Sequence, residues 1–490
     1  MTLPFKKQIR NFLSKDKYLP LIAGLASGLY PWAFYYTNNF NFVNSWDHFF
    51  FFLTRFVLFP TVVYYLYYFV MRKKHLHLYT TIVLPFLNAL TFFTLVMYAL
   101  YASVGYKKVA LVIVLAVLVA ILTRLVKNLF SKLLVIQFLL LITTAYLLAV
   151  IAKQYLFYSE DWLKQPDAIE QVVFKKTPNI YVIQPDGYTN FSELGKGFYN
   201  FDNSKFELWL QENNFVLYPD FRSNYNSTLH SNSSLFAMKH HHYDVLDERK
   251  VIFDKNPVVA IFKNNGYKTH FLAEVPYLLT NRPKINFDYT NFKLKDIPYL
   301  SKGLDSHRVI LEDFSEIAKE ATGKNFYFFE KLLPGHITTY KDQAESKEAE
   351  RERYLENLVH ANDWLQKLIQ NITENDPEGL IVIVADHGGF VGLKYSLQSN
   401  TYTTNRDNIY TIFSAALAIK WPENSPPEFD DSFKSSVNLF RILFAYLGED
   451  LSLLKNLQDD TSYIQIKEGA PKGVYGYIDG DGNIILKEIK

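Results

Sequence analysis

Five apolar runs before residue 155 constrain this chain more than any other feature. They lie near Tyr18 to Tyr36, His48 to Met71, Thr80 to Val104, Val109 to Val126 and Leu133 to Ala152. Each is of the order of the ~20 residues that a helix needs to cross hydrocarbon. A basic stretch, Lys6, Lys7, Arg10, Lys15 and Lys17, precedes the first run. Because further runs follow, the first reads as a retained anchor rather than a removed signal peptide. Arg72-Lys73-Lys74 and the group Arg124, Lys127 and Lys132 fall on the same side as the basic N-terminus, whereas the loop from Thr37 to Trp46 has no Lys or Arg. Only Lys107-Lys108 runs against that alternation. The expectation is an N-terminus inside and everything beyond about residue 155 outside the membrane. Arg55, the one charge well inside a run, reads as a side chain reaching back to the headgroups, with lipid-phosphate binding as the alternative.

Beyond a linker at 156–176, short apolar runs alternate with helix-period segments. Strands are expected at Ile180 to Ile183, Lys268 to Leu272, Phe326 to Phe329, Leu380 to Val384 and Thr411 to Ile419. Helices are expected at Phe206 to Glu212, Asn256 to Asn264 and Glu345 to Ile372, where Tyr354, Leu358, Ala361, Leu365 and Leu368 mark one face. The fold class is therefore a multi-span α-helical membrane domain (1–155) followed by an α/β/α sandwich (177–450) with a mainly parallel central sheet. A C-terminal extension (451–490) carries a β-hairpin around Asp479-Gly480-Asp481-Gly482. The net charge is only +2, too small to hold nucleic acid through its phosphates. The chain has no cysteine, which excludes disulfides, thiolate metal sites and thiol nucleophiles.

Two acidic motifs end predicted strands, where a parallel sheet places its ligands. They are Pro178-Asn179-Ile180-Tyr181-Val182-Ile183-Gln184-Pro185-Asp186-Gly187 and Leu380-Ile381-Val382-Ile383-Val384-Ala385-Asp386-His387-Gly388-Gly389. Asp186 alone reads more readily as a turn than as a ligand. Adjacent oxygen and nitrogen donors in Asp386-His387, with two glycines behind them, suit a divalent cation, and a helix cap beside a core histidine is the plainer reading. Between the motifs runs Asn224-Tyr225-Asn226-Ser227-Thr228-Leu229-His230-Ser231-Asn232-Ser233-Ser234-Leu235-Phe236-Ala237-Met238. Its apolar end reads as the start of a buried helix, leaving Thr228 or Ser231 at an N-terminus that favours an anion.

These three motifs, in this order, resemble the alkaline phosphatase and sulfatase superfamily from about Pro178 to Gly448. Thr228-Leu-His-Ser231-Asn-Ser-Ser-Leu-Phe resembles the sulfatase pattern Cys-x-Pro-Ser-Arg-x-x-Leu, with Thr228 in the place of the modified cysteine. Val384-Ala385-Asp386-His387-Gly388 resembles the Ser-Asp-His-Gly motif, and Ala418-Ile419-Lys420-Trp421-Pro422 falls where sulfatases carry Arg-Trp-Pro. Membrane spans before such a domain are similar to lipoteichoic acid synthases and, more loosely, lipid A phosphoethanolamine transferases. The resemblance implies a metal set of Asp186, Thr228, Asp386 and His387 holding one divalent ion, Mn²⁺ or Zn²⁺, with Mg²⁺ as an alternative. It implies Thr228 as nucleophile, Ser231 being the fallback, and His336 in Leu333-Pro334-Gly335-His336 as the histidine that binds substrate phosphate. It further implies a bacterial cytoplasmic (inner) membrane setting, a membrane phospholipid donor, and a glycan or glycolipid acceptor reached through a covalent phospho-threonine.

The chain departs from those transferases in having Asp186 where they usually present Glu, and no histidine closely follows His387 to build the second-metal set of alkaline phosphatases. Two other functions stay open: a metal-dependent phosphodiesterase or phosphatase that uses water, and a non-catalytic lipid-binding regulator of the envelope. Sulfate-ester hydrolysis fits least, because formylglycine is made from Cys or Ser and Thr228 is neither. His240-His241-His242 is expected as a basic, partly exposed stretch, since three consecutive histidines cannot all face one ion from a regular element.

Overall fold

The structure, a computed structural model, describes residues 17–101 and 105–489. Lys6, Lys7, Arg10 and Lys15 of the basic stretch, and the end of the third apolar run through Val104, lie outside the described residues. The chain divides into two units. The first is Met1–Tyr158 with the short segments Thr280–Arg282 and Pro298–Lys302, and the second is the remainder.

Apolar helices dominate the first unit: α1 (Leu19–Asn38), α2 (Trp46–Met71), α3 (Leu76–Tyr101), α4 (Tyr106–Leu125) and α5 (Leu129–Phe157). Among the described residues four of these, α2 to α5, are long and apolar enough to cross a membrane. Helix α1, expected as a crossing too, has 20 residues and is diluted by tyrosines, Trp32 and two prolines. Gly24 and Gly28, four apart on α1, let it lie directly on α2. A Cβ at Gly28 would sit 2.0 Å from the Phe56 carbonyl oxygen, and one at Gly24 would sit 2.4 Å from Thr61 Oγ1. This is the small-residue packing by which helices associate where no hydrophobic effect drives them together. Asn88 of α3 and Gln137 of α5 exchange amide hydrogen bonds at 2.9 and 3.1 Å, and Asn88 Nδ2 also donates to the Ala23 carbonyl of α1. Arg55 sits in a π-helical turn, Leu53–Leu58, with its guanidinium 4.9 Å from the centre of the Phe51 ring.

The second unit is built on seven strands in the order β2-β7-β6-β1-β5-β3-β4. They are β1 (Ile180–Pro185), β2 (Phe215–Leu217), β3 (Tyr267–Ala273), β4 (Tyr289–Thr290), β5 (Lys324–Lys331), β6 (Leu380–Val384) and β7 (Leu417–Lys420). The core of the sheet is parallel, β6-β1-β5-β3-β4, whereas β7 runs antiparallel between β6 and β2. Strand β1 is buried along its whole length, as a central parallel strand requires. Helix α6 (Thr228–Ala237) and the long α7 (Lys347–Asn375) pack against this sheet, and Tyr354, Leu358, Ala361, Leu365 and Leu368 of α7 are all buried. The strand expected at Thr411 to Ile419 is corrected. Its first residues end a helix, Arg406–Phe413, capped by Asn405, and only Leu417–Lys420 pairs in the sheet. At the C-terminus, β9 (Gly473–Ile478) and β10 (Ile484–Ile489) form the expected hairpin, and β8 (Ser462–Ile466) adds a third antiparallel strand.

Candidate metal and phosphoryl-transfer site

The carboxyl ends of β1 and β6 lie side by side, and each carries one acidic motif. Asp186 directly follows β1, and its N–H donates to the Lys331 carbonyl at the end of β5 at 2.9 Å. Gly187 takes φ +66°, and a Cβ there would meet the Gly335 carbonyl oxygen at 2.3 Å, so only glycine lets these two loops touch. Its N–H donates to Asp386 Oδ1 at 3.0 Å, and Gly335 N–H donates to the Asp186 carbonyl at 2.9 Å. The loops bearing Asp186, His336 and Asp386 are therefore laced together through backbone. The two glycines after His387 are demanded by packing. A Cβ at Gly388 would strike the Thr411 carbonyl, and one at Gly389 the Tyr354 ring, both within 2.3 Å.

Asp186, Asp386 and His387 each offer a ligand atom within 4.8 Å of the others, and all three are buried. Thr228, first residue of α6, donates from Oγ1 to Asp186 Oδ1 at 3.1 Å and lies 3.4 Å from His387 Nε2. The His387 tautomer is set by its own backbone: Nδ1–H donates to the Gly388 carbonyl at 2.9 Å, turning Nε2 toward the acids at 3.3 and 3.5 Å. Asp386 Oδ2 is buried and has no hydrogen-bond partner. An orphaned carboxylate oxygen beside an imidazole nitrogen, a second carboxylate and a hydroxyl fits a divalent cation with mixed donors. Burial raises the Asp386 carboxyl to about 6, with Asp186 pushing the same way and His387 opposing. Burial disfavours charge on His387, but Asp386 and then Asp186 draw its affinity for a proton upward.

His336 reaches the same place. Its ring centre is 5.7 Å from that of His387, its Nδ1 donates to the Ile337 carbonyl at 2.5 Å, and burial with the neighbouring His387 charge lowers it to about 4. Ser231, the fallback nucleophile, is buried with its hydroxyl donated to the Tyr225 carbonyl at 2.9 Å. Two residues beside the site escape the sequence reading. Gln184 of β1 exchanges amide hydrogen bonds with Asn232 of α6, both 2.8 Å, tying the nucleophile helix to the central strand. Glu330 of β5 is 1% exposed, and burial, then Asp186 and Asp386, push its carboxyl well above the usual range. The unlike pairing of a glutamine in an apolar strand with an asparagine in a serine run is the only trace of the first. The second hides in the aromatic strand Asn325-Phe326-Tyr327-Phe328-Phe329-Glu330.

The histidine triplet is partly exposed, as expected, with His241 buried and His242 exposed, but it is not basic. His241 is buried and stacked on Tyr225 at 4.0 Å. Its Nε2–H donates to the His230 carbonyl while Nδ1 accepts from Tyr243 N–H, each at 3.0 Å, an arrangement only the neutral ring can satisfy. Burial pushes His241 well below its ordinary value and His240 to about 4. Between pH 6.5 and about 4 the unfolded chain therefore binds protons that the folded one refuses, so stability falls as pH falls through that window. The thermal midpoint of the full-length protein should drop by about 3 °C or more between pH 7.5 and 5. A His241→Gln protein should show a smaller drop, and equal drops would separate the acid response from this cluster.

A sulfatase family model matches residues 197–449, more than half of the chain. No curated protein matches the chain. Among solved structures, the C-terminal periplasmic domain of EcEptC from Escherichia coli is 15% identical, with 62% of this chain and 93% of that chain covered and a TM-score of 0.44. The lipooligosaccharide phosphoethanolamine transferase A of Neisseria meningitidis is 15% identical over 87% of this chain and 95% of that one, TM-score 0.41. The lipoteichoic acid synthase LtaP of Listeria monocytogenes is 14% identical over 65% and 90%, TM-score 0.42.

Proposed function

The chain belongs to the sulfatase family, and from that premise we propose that it is a membrane-anchored transferase moving a phospho-headgroup from a phospholipid to an envelope glycan or glycolipid through phospho-Thr228. The observation that carries this reading is Thr228 Oγ1 at the first position of α6, 3.1 Å from Asp186 and 3.4 Å from His387 Nε2. Residues 1–155 serve as the anchor with an inner N-terminus, 156–176 as linker, 177–450 as the outer catalytic domain and 451–490 as an extension. Asp186, Thr228, Asp386 and His387 would hold one divalent ion, Mn²⁺ or Zn²⁺ by their mixed oxygen and nitrogen donors. Bound there, it would supply Lewis-acid stabilisation of phosphate charge and favour the alkoxide of the nucleophile.

Thr228 Oγ attacks phosphorus in line, the bond from phosphorus to the glyceride oxygen breaks, and diacylglycerol leaves carrying a proton. The free N–H groups at the start of α6 face the phosphoryl oxygens. His336, neutral and with Nδ1 committed to backbone, keeps Nε2 for the substrate phosphate or the incoming hydroxyl proton. An acceptor hydroxyl then attacks the same phosphorus and returns Thr228. A membrane anchor suits a reaction whose donor and leaving group both stay in the bilayer.

The test is intact mass of the full-length protein in detergent, incubated with Mn²⁺ and a phospholipid but no glycan. A mass gain equal to one phospho-headgroup, mapped to Thr228 and absent from Asp386→Ala/His387→Ala, is the expected result. Headgroup released with the protein mass unchanged throughout would replace the transferase with a hydrolase.

A further inference from the structure

One buried acid beside the site has no task in that chemistry. Glu330 of β5 is paired in parallel register with Gln184 of β1, so the two side chains stand on the same face of the sheet. That is the face on which Gln184 holds Asn232 of α6. Asp186 follows Gln184 by two positions and is tied by its N–H to Lys331, the neighbour of Glu330. Glu330 is 1% exposed and neither of its carboxyl oxygens has a hydrogen-bond partner. The cations nearby are engaged elsewhere, Lys331 with Glu274 at 2.6 Å and Arg249 with the Tyr277 carbonyl at 3.2 Å. The acids whose charges bear on Glu330 most are Asp186 and then Asp386, with Arg249 opposing them.

We propose that Glu330 and Asp186 together hold a second divalent cation, next to the ion assigned to Asp186, Thr228, Asp386 and His387. The inference rests on that assignment for the shared Asp186. A carboxylate sealed from water with no donor on either oxygen is strongly unfavourable unless a positive charge sits on it. Three buried acids, Asp186, Asp386 and Glu330, lie at one end of the sheet, and the one buried cation whose charge bears on Glu330, Arg249, donates no hydrogen bond to either of its oxygens. The donors of the second position are carboxylate oxygens alone, which selects a hard cation of the Mg²⁺, Mn²⁺ or Ca²⁺ class with water completing its shell. The position containing His387 accepts borderline ions as well.

Equilibrium dialysis of the detergent-solubilised full-length protein against MnCl₂ reads this out without any activity assay. At saturation the wild type should bind about two Mn²⁺ per chain, and Glu330→Gln and Asp386→Ala/His387→Ala about one each. Without metal, Glu330→Gln should melt above the wild type because an unpaired buried acid is gone, and its midpoint should rise less on adding MnCl₂. If Glu330→Gln fails to fold, Glu330→Asp should still bind two ions, the second more weakly. One Mn²⁺ in the wild type, or two in Glu330→Gln, overturns the second position and leaves the first intact. No Mn²⁺ in the wild type defeats the first assignment itself.

Discussion

Thr228→Ala should lower headgroup turnover by at least about 10³-fold while leaving bound Mn²⁺ in place. The separation follows from geometry. Asp186, Asp386 and His387 keep their mutual positions through backbone contacts that do not involve the Thr228 side chain. What disappears is the hydroxyl that bonds Asp186 and faces His387 Nε2. Ser231 is no substitute, since it is buried and bound to the Tyr225 carbonyl. Thr228→Ser restores a hydroxyl at the start of α6 and should recover most of the loss. Phospho-enzyme should be detectable in wild type and Thr228→Ser and absent from Thr228→Ala. Turnover by Thr228→Ala at the wild-type rate would remove Thr228 from the chemistry.

The largest structural effect is expected at Gly28. A side chain there runs into the Phe56 carbonyl carbon and oxygen and the Val57 Cα, all backbone atoms that no rotamer change can move. Gly28→Val should therefore cost about 3 kcal/mol or more, because α1 and α2 can make room only by separating. Fluorescence-detected gel filtration of the detergent extract, with a thermal ramp, should show loss of the monodisperse species. Gly105→Ala is the control, as nothing lies within 4 Å of a Cβ there. Equal melting of the two variants would mean that α1 does not depend on close approach to α2.

Much of this arrangement is legible in the sequence because its signals are local. Leu380 to Val384 is an uninterrupted apolar run of strand length, and it is a strand over those residues. The helix over 347–375 announces itself through a three-and-four repeat that ends up buried. The strand expected from Thr411 fails for an equally local reason: the apolar run crosses the end of a helix and the start of a strand, with Ser414-Ala415-Ala416 between them, and Asn405 caps the helix from outside the run. In the candidate site, Thr228, Asp386 and His387 stand in short motifs, so the residues are readable though their meeting is not. The meeting depends on β1 lying between β5 and β6, a pairing across about 200 residues of chain that no window of sequence contains. Glu330 is hidden because it follows directly on the aromatic run Phe326-Tyr327-Phe328-Phe329, where it reads as the strand's polar end. The histidine triplet misleads because its surroundings come from Tyr225, 15 residues before His240, and from Tyr463, which lies in the C-terminal extension.

The amide pair of Asn88 and Gln137 bears on how the membrane unit is made. Asn88 lies on α3 and Gln137 on α5, both helices long and apolar enough to cross a membrane, and α5 is the later of the two in the chain. Without α5 the Asn88 oxygen lacks the amide donor that pairs it, while its Nδ2 still holds the Ala23 carbonyl of α1 and Tyr30 of α1 still stacks on Phe92 of α3. Reciprocal amides also meet at a single register, so pairing with Asn88 fixes how far α5 slides in. A chain cut before residue 129 would leave the Asn88 amide half-paired, so the first unit depends on α5 for the pairing of its polar groups as well as for its packing.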